Sequence, residues 1–202
     1  MKDVSFMDSL LEENGIDHSF DAFTPTLLFH VDKRIFNPGE IILPNGKTYE
    51  ESLTNEKKEL EELLNSVSHL TVRRSNHVFL FDEFKNALCY AGKVSGCIYQ
   101  VRIDPQDMCL KADMNKLDNI LDVFRFTEDD EIRKAASIEY WKSGTHTFSP
   151  CFEYLVKKCT VEKCISTADE NVTFHKQLLL NYHPIEQCKW YLDKINSIYN
   201  DE

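Results

Sequence analysis

The sequence has few of the residues on which the commonest nucleotide-binding and hydrolytic motifs depend. Its 202 residues include only six glycines, and none of them forms a phosphate-binding loop, a dinucleotide-binding glycine fingerprint or a nucleophile elbow. The motifs that define P-loop NTPases, Rossmann-type dehydrogenases and α/β-hydrolases are therefore missing. No apolar run approaches the roughly eighteen residues that a membrane span needs, so we expect no membrane partner.

Positive charge is also scarce. Lys and Arg number 23 against 34 Asp and Glu, which gives a formal net charge of −11. This balance argues against a broad, nonspecific grip on DNA or RNA, which requires clustered Lys and Arg. It leaves room for a local basic site.

The cysteines indicate a reducing compartment. There are seven, an odd number, and the chain opens on an acidic amphipathic segment instead of an apolar leader. We therefore expect a cytoplasmic protein in which the cysteines are small core residues. Cys159 and Cys164 are not accompanied by a second Cys/His pair at ligand spacing, so we expect no metal site.

The length and the 42% of hydrophobic residues are typical of one globular domain, and we expect residues 1–202 to form it. The clearest segment runs from His77 to Ile103 and predicts strand, helix and strand in succession. Val78 to Phe81 is the first strand and Ile98 to Ile103 the second. Between them, Asp82 is expected to cap the start of the helix and Gly92 to end it.

Hydrophobic periodicity predicts further elements on both sides of this segment. Apolar runs predict strands at residues 26–32, 41–43, 148–156 and 161–166, the last as an edge strand. Helical spacing predicts helices at residues 5–14, 54–67, 114–124, 129–141 and 184–199. Asn45-Gly46 predicts a tight turn, and residues 174–182 leave the choice between strand and helix open.

Three polar residues stand out because each interrupts an apolar strand or helix face: His30, Tyr90 and Glu153. Each has an ordinary interpretation, namely a hydrogen-bonded histidine, a core tyrosine and a glutamate that points outward. The alternative is a shared site, since an ionised carboxylate within F-E-Y-L-V is costly to bury unless it is paired or lines a cleft. The nearby pair Arg73-Arg74 is either a phosphate contact or part of a solvated loop.

Taken together, these segments resemble the diphtheria-toxin-type ADP-ribosyltransferases, the His–Tyr–Glu class that includes the poly(ADP-ribose) polymerases. The run F-L-F-D-E-F-K-N-A-L-C-Y-A-G, followed by I-Y-Q-V-R-I, is similar to the family's nicotinamide-binding unit. C-F-E-Y-L-V resembles its catalytic-glutamate strand, and F-H-V-D followed by P-G-E-I-I resembles its first strand and turn. The resemblance covers residues 26–166. It implies an α+β fold, an ADP-ribosyltransferase-like split mixed or antiparallel β-sheet core with flanking helices, extended by helices at both ends.

The resemblance also assigns roles to single residues. Glu153, His30 and Tyr90 form the implied catalytic set, in which Glu153 stabilises the oxocarbenium-like charge as nicotinamide leaves. Phe79 and Tyr90, with ten residues between them, would sandwich the nicotinamide ring. His30 would bind the adenosine ribose. The residues implied in NAD binding are His30, Val31, Ser75, Phe79 and Tyr90.

The chain departs from the family pattern at three positions. The first aromatic is Phe79 and not Tyr, which keeps the stacking surface but loses the hydroxyl. Val31 follows His30 where toxins of this class often have glycine, which leaves less room for the nicotinamide amide. Cys151 stands two residues before Glu153, in place of the second acidic residue of arginine-modifying members, so an arginine acceptor is less expected.

The implied function is mono-ADP-ribosylation with NAD as the substrate and a macromolecule, either a protein or a nucleic acid (RNA or DNA), as the acceptor. Residues 142–149 are expected to form an exposed loop that presents the acceptor. Small stand-alone chains of this class usually act as toxins, effectors or defence-type modifiers, and a neutralising antitoxin is left open as a partner. Two alternatives remain: an NAD glycohydrolase, and a catalytically degenerate module that binds only NAD or a partner.

Overall fold

The computed structural model of the chain describes residues 27–68, 73–142, 150–181 and 184–199. The helix predicted at residues 5–14 and residues 143–149 of the predicted acceptor loop lie outside the described residues. Over the described ranges, the chain forms a seven-stranded antiparallel sheet and seven α-helices. This confirms the predicted α+β class, with an antiparallel sheet and flanking helices.

The sheet brings together strands that are far apart in the sequence. The strands are β1 (Leu28–Asp32), β2 (Ile41–Ile42), β3 (Val78–Phe81), β4 (Cys97–Arg102), β5 (Met108–Asp113), β6 (Phe152–Val156) and β7 (Cys159–Ser166). Their order is β2-β7-β4-β1-β3-β6-β5. The predicted edge position of β7 is wrong, because β2 pairs along its outer side. β5 was not expected from its six residues, since they include a Lys and an Asp.

Five of the seven described helices correspond to segments that were predicted to be helical. They are α1 (Gly46–Ser52), α2 (Asn55–Ser66), α3 (Phe84–Val94), α4 (Asn115–Phe126), α5 (Asp130–Trp141), α6 (Ala168–Asn181) and α7 (Lys189–Tyr199). Short 3₁₀ turns occur at Arg74–Asn76, Pro105–Asp107 and Ile185–Gln187. The last of these turns delays the closing helix, which was predicted from residue 184, and the open segment 174–182 belongs largely to α6.

Helices cover one face of the sheet in two groups. At one end, α3 packs on Phe29 of β1 and Phe81 of β3, together with residues of α6 and α7. At the other end, α2, α4 and α5 pack on Leu155 of β6 and on β5. The opposite face forms a separate apolar cluster that includes Leu28 and Leu80. Because side chains alternate along a strand, the odd-numbered residues of β3 face the helices.

The sheet is joined weakly between β1 and β3. Their ladder consists of two residue pairs, Phe29 with Phe81 and His30 with Leu80. By contrast, β1 pairs with β4 over five positions and β3 with β6 over four. The last residues of β1 and the first residues of β3 therefore diverge, and the sheet splits there into a four-stranded half and a three-stranded half. We call this point the β1–β3 split.

The predicted role of Gly92 is wrong because a tertiary contact decides it. Helix α3 continues past Gly92 to Val94, and the left-handed residue that ends it is Ser95, at φ 55°. Gly92 instead permits the close approach of α6, since a Cβ added there would lie 2.2 Å from the imidazole of His175. The glycine is thus required by packing and not by a cap.

Two other local predictions are also wrong. Gly46 begins α1 and does not form a tight turn, and a Cβ added to it would lie 2.7 Å from Oδ1 of Asn76. Asp82 does not cap α3, because the N-cap residue is Glu83. The Asp82 carboxylate instead accepts a hydrogen bond of 2.8 Å from the hydroxyl of Tyr154.

Candidate functional site

Glu153 lies at the centre of the candidate site. It is the second residue of β6, opposite Phe81 of β3 and Ala112 of β5, so its side chain is directed to the helix-covered face. Only 2% of the residue is exposed. The interpretation that this glutamate points outward is therefore wrong, and a carboxylate at this depth requires a partner.

The partner of Glu153 is Arg74, in the 3₁₀ turn before β3. Arg74 Nη2 donates hydrogen bonds of 2.7 and 3.0 Å to the two carboxylate oxygens of Glu153. The Tyr140 hydroxyl, from α5, donates a third bond of 2.7 Å to Oε1. Charge-assisted bonds of this kind are the strong ones in protein interiors, and they supply what the buried carboxylate needs.

The rest of the Arg74 guanidinium is equally engaged. Its Nε donates to the Tyr140 hydroxyl at 2.8 Å, and its Nη1 donates to the Tyr49 hydroxyl at 2.9 Å and to Oε1 of Glu61. The Tyr49 hydroxyl in turn donates to Glu61 at 2.6 Å. Each tyrosine thus bridges the guanidinium and one carboxylate. We call these five residues the Arg74 network.

The Arg74 network holds one cation between two carboxylates. Burial alone would lower the pKa of Arg74, but the charge of Glu153 and the other surrounding groups raise that pKa well above its usual value. Burial raises the pKa of Tyr140 and of Tyr49, so both hydroxyls stay protonated and can donate. One oxygen of Glu61, Oε2, is buried without a hydrogen-bond partner, so the Glu61 side of the network is less completely hydrogen-bonded than the Glu153 side.

Aromatic rings flank Glu153 on the same face of the sheet. Phe79 packs against Tyr49, with ring centroids 5.3 Å apart, and Phe81 packs against Tyr90 at 5.6 Å. Burial raises the pKa of Tyr90, and the charge of Glu153 raises it further. The structure therefore brings Phe79, Tyr90 and Glu153 to one face, with Phe81 packed against Tyr90.

The His30 side chain lies at the β1–β3 split, on the other face of the sheet from these side chains. It pairs with Leu80 in the ladder, so its side chain belongs to the opposite face of the sheet. Its Nδ1 is 2.9 Å from the backbone oxygen of Phe79, and its Nε2 is 3.2 Å from Oδ2 of Asp32. The imidazole thus replaces a ladder bond where the strands diverge, and both of its nitrogens are engaged.

Asp32 anchors this histidine to a surface arginine. Its carboxylate accepts bonds from the backbone nitrogen, Nε and Nη2 of Arg34, at 2.8, 2.9 and 2.6 Å. Burial alone would raise the pKa of Asp32, but the hydrogen bonds with His30 and Arg34 hold it well below the usual range. The result is a fixed His30–Asp32–Arg34 chain beside the split.

The two remaining predicted NAD-binding residues are both buried. Val31 follows His30 on the helix-covered face, within the cluster around α3, and packs close to Gly96. Ser75 lies next to Arg74, and its hydroxyl donates a bond of 2.8 Å to Glu50. As the chain is folded, Val31 packs in the core and Ser75 is tied to α1.

Sequence reasoning did not identify the Arg74 network. Arg73 and Arg74 were interpreted as one cationic pair, but the Arg73 side chain is 61% exposed and the Arg74 side chain 3%. The solvated-loop interpretation therefore fits Arg73 alone. The sequence did contain one indication, because a glutamate within an apolar strand needs a cationic partner if it is buried. The sequence does not show which arginine is that partner.

A shallow groove lies beside the network. It has a volume of about 320 Å³ and reaches Glu61 from the outside. The residues that line it are Glu50, Glu51, Leu53, Lys58, Glu61, Glu62, Asn65 and Arg73. With four carboxylates and two cations, its lining is predominantly acidic.

Within the described ranges, no group of three or more His, Cys, Asp or Glu side chains is arranged to hold a metal ion. The seven cysteines are all unpaired thiols, but only Cys97 and Cys159 are buried and Cys164 is exposed. No helix among the described residues has the length and apolarity to cross a membrane. No family model, curated protein or solved structure matches the chain.

Proposed function

We propose that the chain is a mono-ADP-ribosyltransferase that cleaves NAD and transfers ADP-ribose to a protein or nucleic-acid acceptor in the cytoplasm. One observation carries the proposal: the strands that hold His30, Phe79 and Glu153 are neighbours in the sheet, in the order β1-β3-β6. These strands are separated by long stretches of sequence. Their adjacency is what the resemblance to the His–Tyr–Glu class requires.

The β1–β3 split supports the same proposal. The resemblance calls for a core divided into two small sheets with a cleft between them for NAD. Here the ladder between β1 and β3 stops after two pairs, at the point where His30 contacts the backbone of Phe79. We therefore propose that the fold is of the ADP-ribosyltransferase type.

The proposed reaction is cleavage of the glycosidic bond of NAD, in which Glu153, Tyr90 and Phe79 each have a separate role. The bond between the ribose C1′ and the nicotinamide nitrogen breaks, and its electron pair neutralises the positive ring. Glu153 stabilises the cationic ribose that develops, which is an electrostatic role. Tyr90 and Phe79 offer aromatic faces to the departing ring. An acceptor oxygen or nitrogen then bonds to C1′ and loses a proton to solvent.

A toxin, effector or defence-type modifier is the biological role we propose for this activity, with an antitoxin as an open partner. The acidic chain, with its net charge of −11, favours an acceptor that is recognised locally over one held by general charge attraction. Water as the acceptor would make the same site an NAD glycohydrolase.

A second candidate function is a binding module without catalysis. The observation that favours it is the closed Arg74 network, in which both oxygens of Glu153 accept bonds from Arg74. A fully paired, buried glutamate is also what a purely structural ion pair requires. Such a module would bind NAD or a partner and release no nicotinamide.

The test is incubation of the protein with NAD labelled in the adenine half, together with total cell protein or total RNA. Label in macromolecules, distinguished by protease and nuclease treatment, supports the transferase and identifies the acceptor class. Nicotinamide release without macromolecular label identifies a glycohydrolase. Absence of nicotinamide release from the wild type and from every variant described below would leave the binding module.

A further inference from the structure

We propose that Arg74 is an internal occupant of the nicotinamide site. Its guanidinium holds the position that the planar, positively charged ring of NAD would take, and it must leave before Glu153 can meet the substrate. This inference rests on the proposed function and adds a closed resting state to it.

The surroundings of the Arg74 guanidinium suit any flat cation. Its central carbon lies 4.7 Å from the centroid of the Phe79 ring and 5.2 Å from that of Tyr140, which are cation–π distances. Its edge meets the Glu153 carboxylate at 2.7 Å. The oxidised nicotinamide ring is likewise flat and positively charged, and its departure requires the same carboxylate. One set of contacts cannot serve both groups at once.

In the closed state the Glu153 carboxylate is buried and occupied by hydrogen-bond donors. The side chains of Arg74 and Glu153 are 3% and 2% exposed, and Tyr140 occupies Oε1 from the side of α5. A ribose hydroxyl can bond to Glu153 only after at least one of these donors has moved. Both side chains are buried, but Tyr140 belongs to the long helix α5 and Arg74 to a short 3₁₀ turn, so we assign the movement to Arg74.

Arg74 is held from two sides, by helices α1 and α2 and by the sheet. Glu61 of α2 and Tyr49 of α1 hold Nη1, while Glu153 of the sheet holds Nη2. Glu61 also lines the shallow groove and keeps one oxygen without a partner. Weakening the Glu61 side of the network therefore loosens Arg74 and leaves the contacts of Glu153 with Tyr140 untouched.

An internal occupant has a distinctive kinetic signature. When only a fraction of the protein is competent to bind, the apparent affinity falls by that fraction. Glu61→Gln enlarges the competent fraction, so the KM for NAD should fall about tenfold while kcat stays the same. If Arg74 instead positioned Glu153 for catalysis, loosening it would lower kcat.

The experiment measures nicotinamide release against NAD concentration for the wild type, Glu61→Gln and Tyr49→Phe. Glu59→Gln is the matched control, because Glu59 is an exposed residue of the same helix. Tyr49→Phe removes the two hydrogen bonds that the Tyr49 hydroxyl makes with Glu61 and Arg74. It replaces Glu61→Gln if that variant does not fold. Circular dichroism and thermal melting show whether each variant is folded. A lower KM in both variants, with Glu59→Gln at the wild-type value, supports the inference.

Two results would overturn the inference that Arg74 occupies the site. One of them leaves the proposed function standing and the other does not. Turnover by the wild type with an unchanged or higher KM, or a lower kcat, in both variants overturns the occupancy of the site and leaves the proposed cleavage of NAD intact. Absence of nicotinamide release from all four proteins overturns both proposals together.

Discussion

Arg74 and Glu153 are 79 positions apart in the chain, and their side chains meet through two hydrogen bonds of 2.7 and 3.0 Å in the interior of the protein. The pair links the turn before β3 to the strand two places from β1. Burial of such a pair contributes little net stability, but loss of one member is costly because the other charge remains. A variant that removes only one of the two charges should therefore be less stable than the wild type.

Glu153→Gln should lower the rate of nicotinamide release about a hundred- to a thousand-fold, because it removes a preorganised charge from the transition state. NAD binding should change far less. The same change takes a counter-charge away from Arg74. We expect the free energy of unfolding to fall by about 3 kcal/mol, as measured in urea. Release at the wild-type rate would refute the transferase proposal.

Tyr90 should act through its ring and not through its hydroxyl. Tyr90→Phe keeps the packing against Phe81 and should leave the KM for NAD unchanged. Tyr90→Leu removes the aromatic face and should raise the KM about fivefold, in line with the value of one aromatic pair. Steady-state kinetics of both variants check this. Equal effects of the two changes would argue that Tyr90 does not stack on the substrate.

Gly92→Ala should destabilise the protein although alanine is the better helix former. The gain in helix propensity is about 1 kcal/mol, but the added Cβ would lie 2.2 Å from His175, and overpacking typically costs about 1–3 kcal/mol. The clash would also disturb the bond of 2.8 Å between His175 and the Leu88 carbonyl. The double variant Gly92→Ala/His175→Ala should be more stable in urea than Gly92→Ala alone; no recovery would contradict this account.

Ser95→Gly should stabilise the protein by about 1 kcal/mol. Ser95 ends α3 with φ at 55°, a left-handed conformation that costs an L residue energy and glycine almost none. Ser95→Ala keeps the Cβ and should show no such gain. Thermal melting of the two variants under the same conditions distinguishes them.

Asp32 should give the protein a specific sensitivity to acid. Because its pKa is lowered in the folded state by His30 and Arg34, its contribution to stability is complete above the unfolded value of about 3.9 and is lost as the pH falls below it. Asp32→Asn lacks this contribution at every pH. The difference in unfolding free energy between the wild type and this variant should therefore be constant near neutrality and shrink below about pH 4. A constant difference down to pH 2.5 would exclude the linkage.

Periodicity predicted most of the fold because most elements here bury one continuous apolar face. β3 matches its predicted bounds, and α2, α4 and α5 lie within one or two residues of theirs. The predictions based on glycine were wrong, because close contacts with His175 and Asn76 explain Gly92 and Gly46. Neither contact leaves a local trace in the sequence.

The site was predictable in part for a related reason. Glu153 and Tyr90 stand out because each interrupts an apolar element, the family resemblance adds Phe79, and the three side chains do share one face of the sheet. His30 stands out equally, yet strand alternation sends it to the other face. Arg74 resembles Arg73 in every local respect, and only the position of Glu61, Tyr49 and Tyr140 in space separates the two.

The short ladder between β1 and β3 has a mechanical consequence. Two halves of a sheet that share only two residue pairs can rotate about that seam at the cost of few hydrogen bonds, one of them the contact between the His30 imidazole and the backbone oxygen of Phe79. Amides along the seam should therefore exchange with deuterated water by local opening, well before those of the β1–β4 and β3–β6 ladders. Protection measured residue by residue would trace the seam as a line of fast exchange through the middle of an otherwise slow sheet.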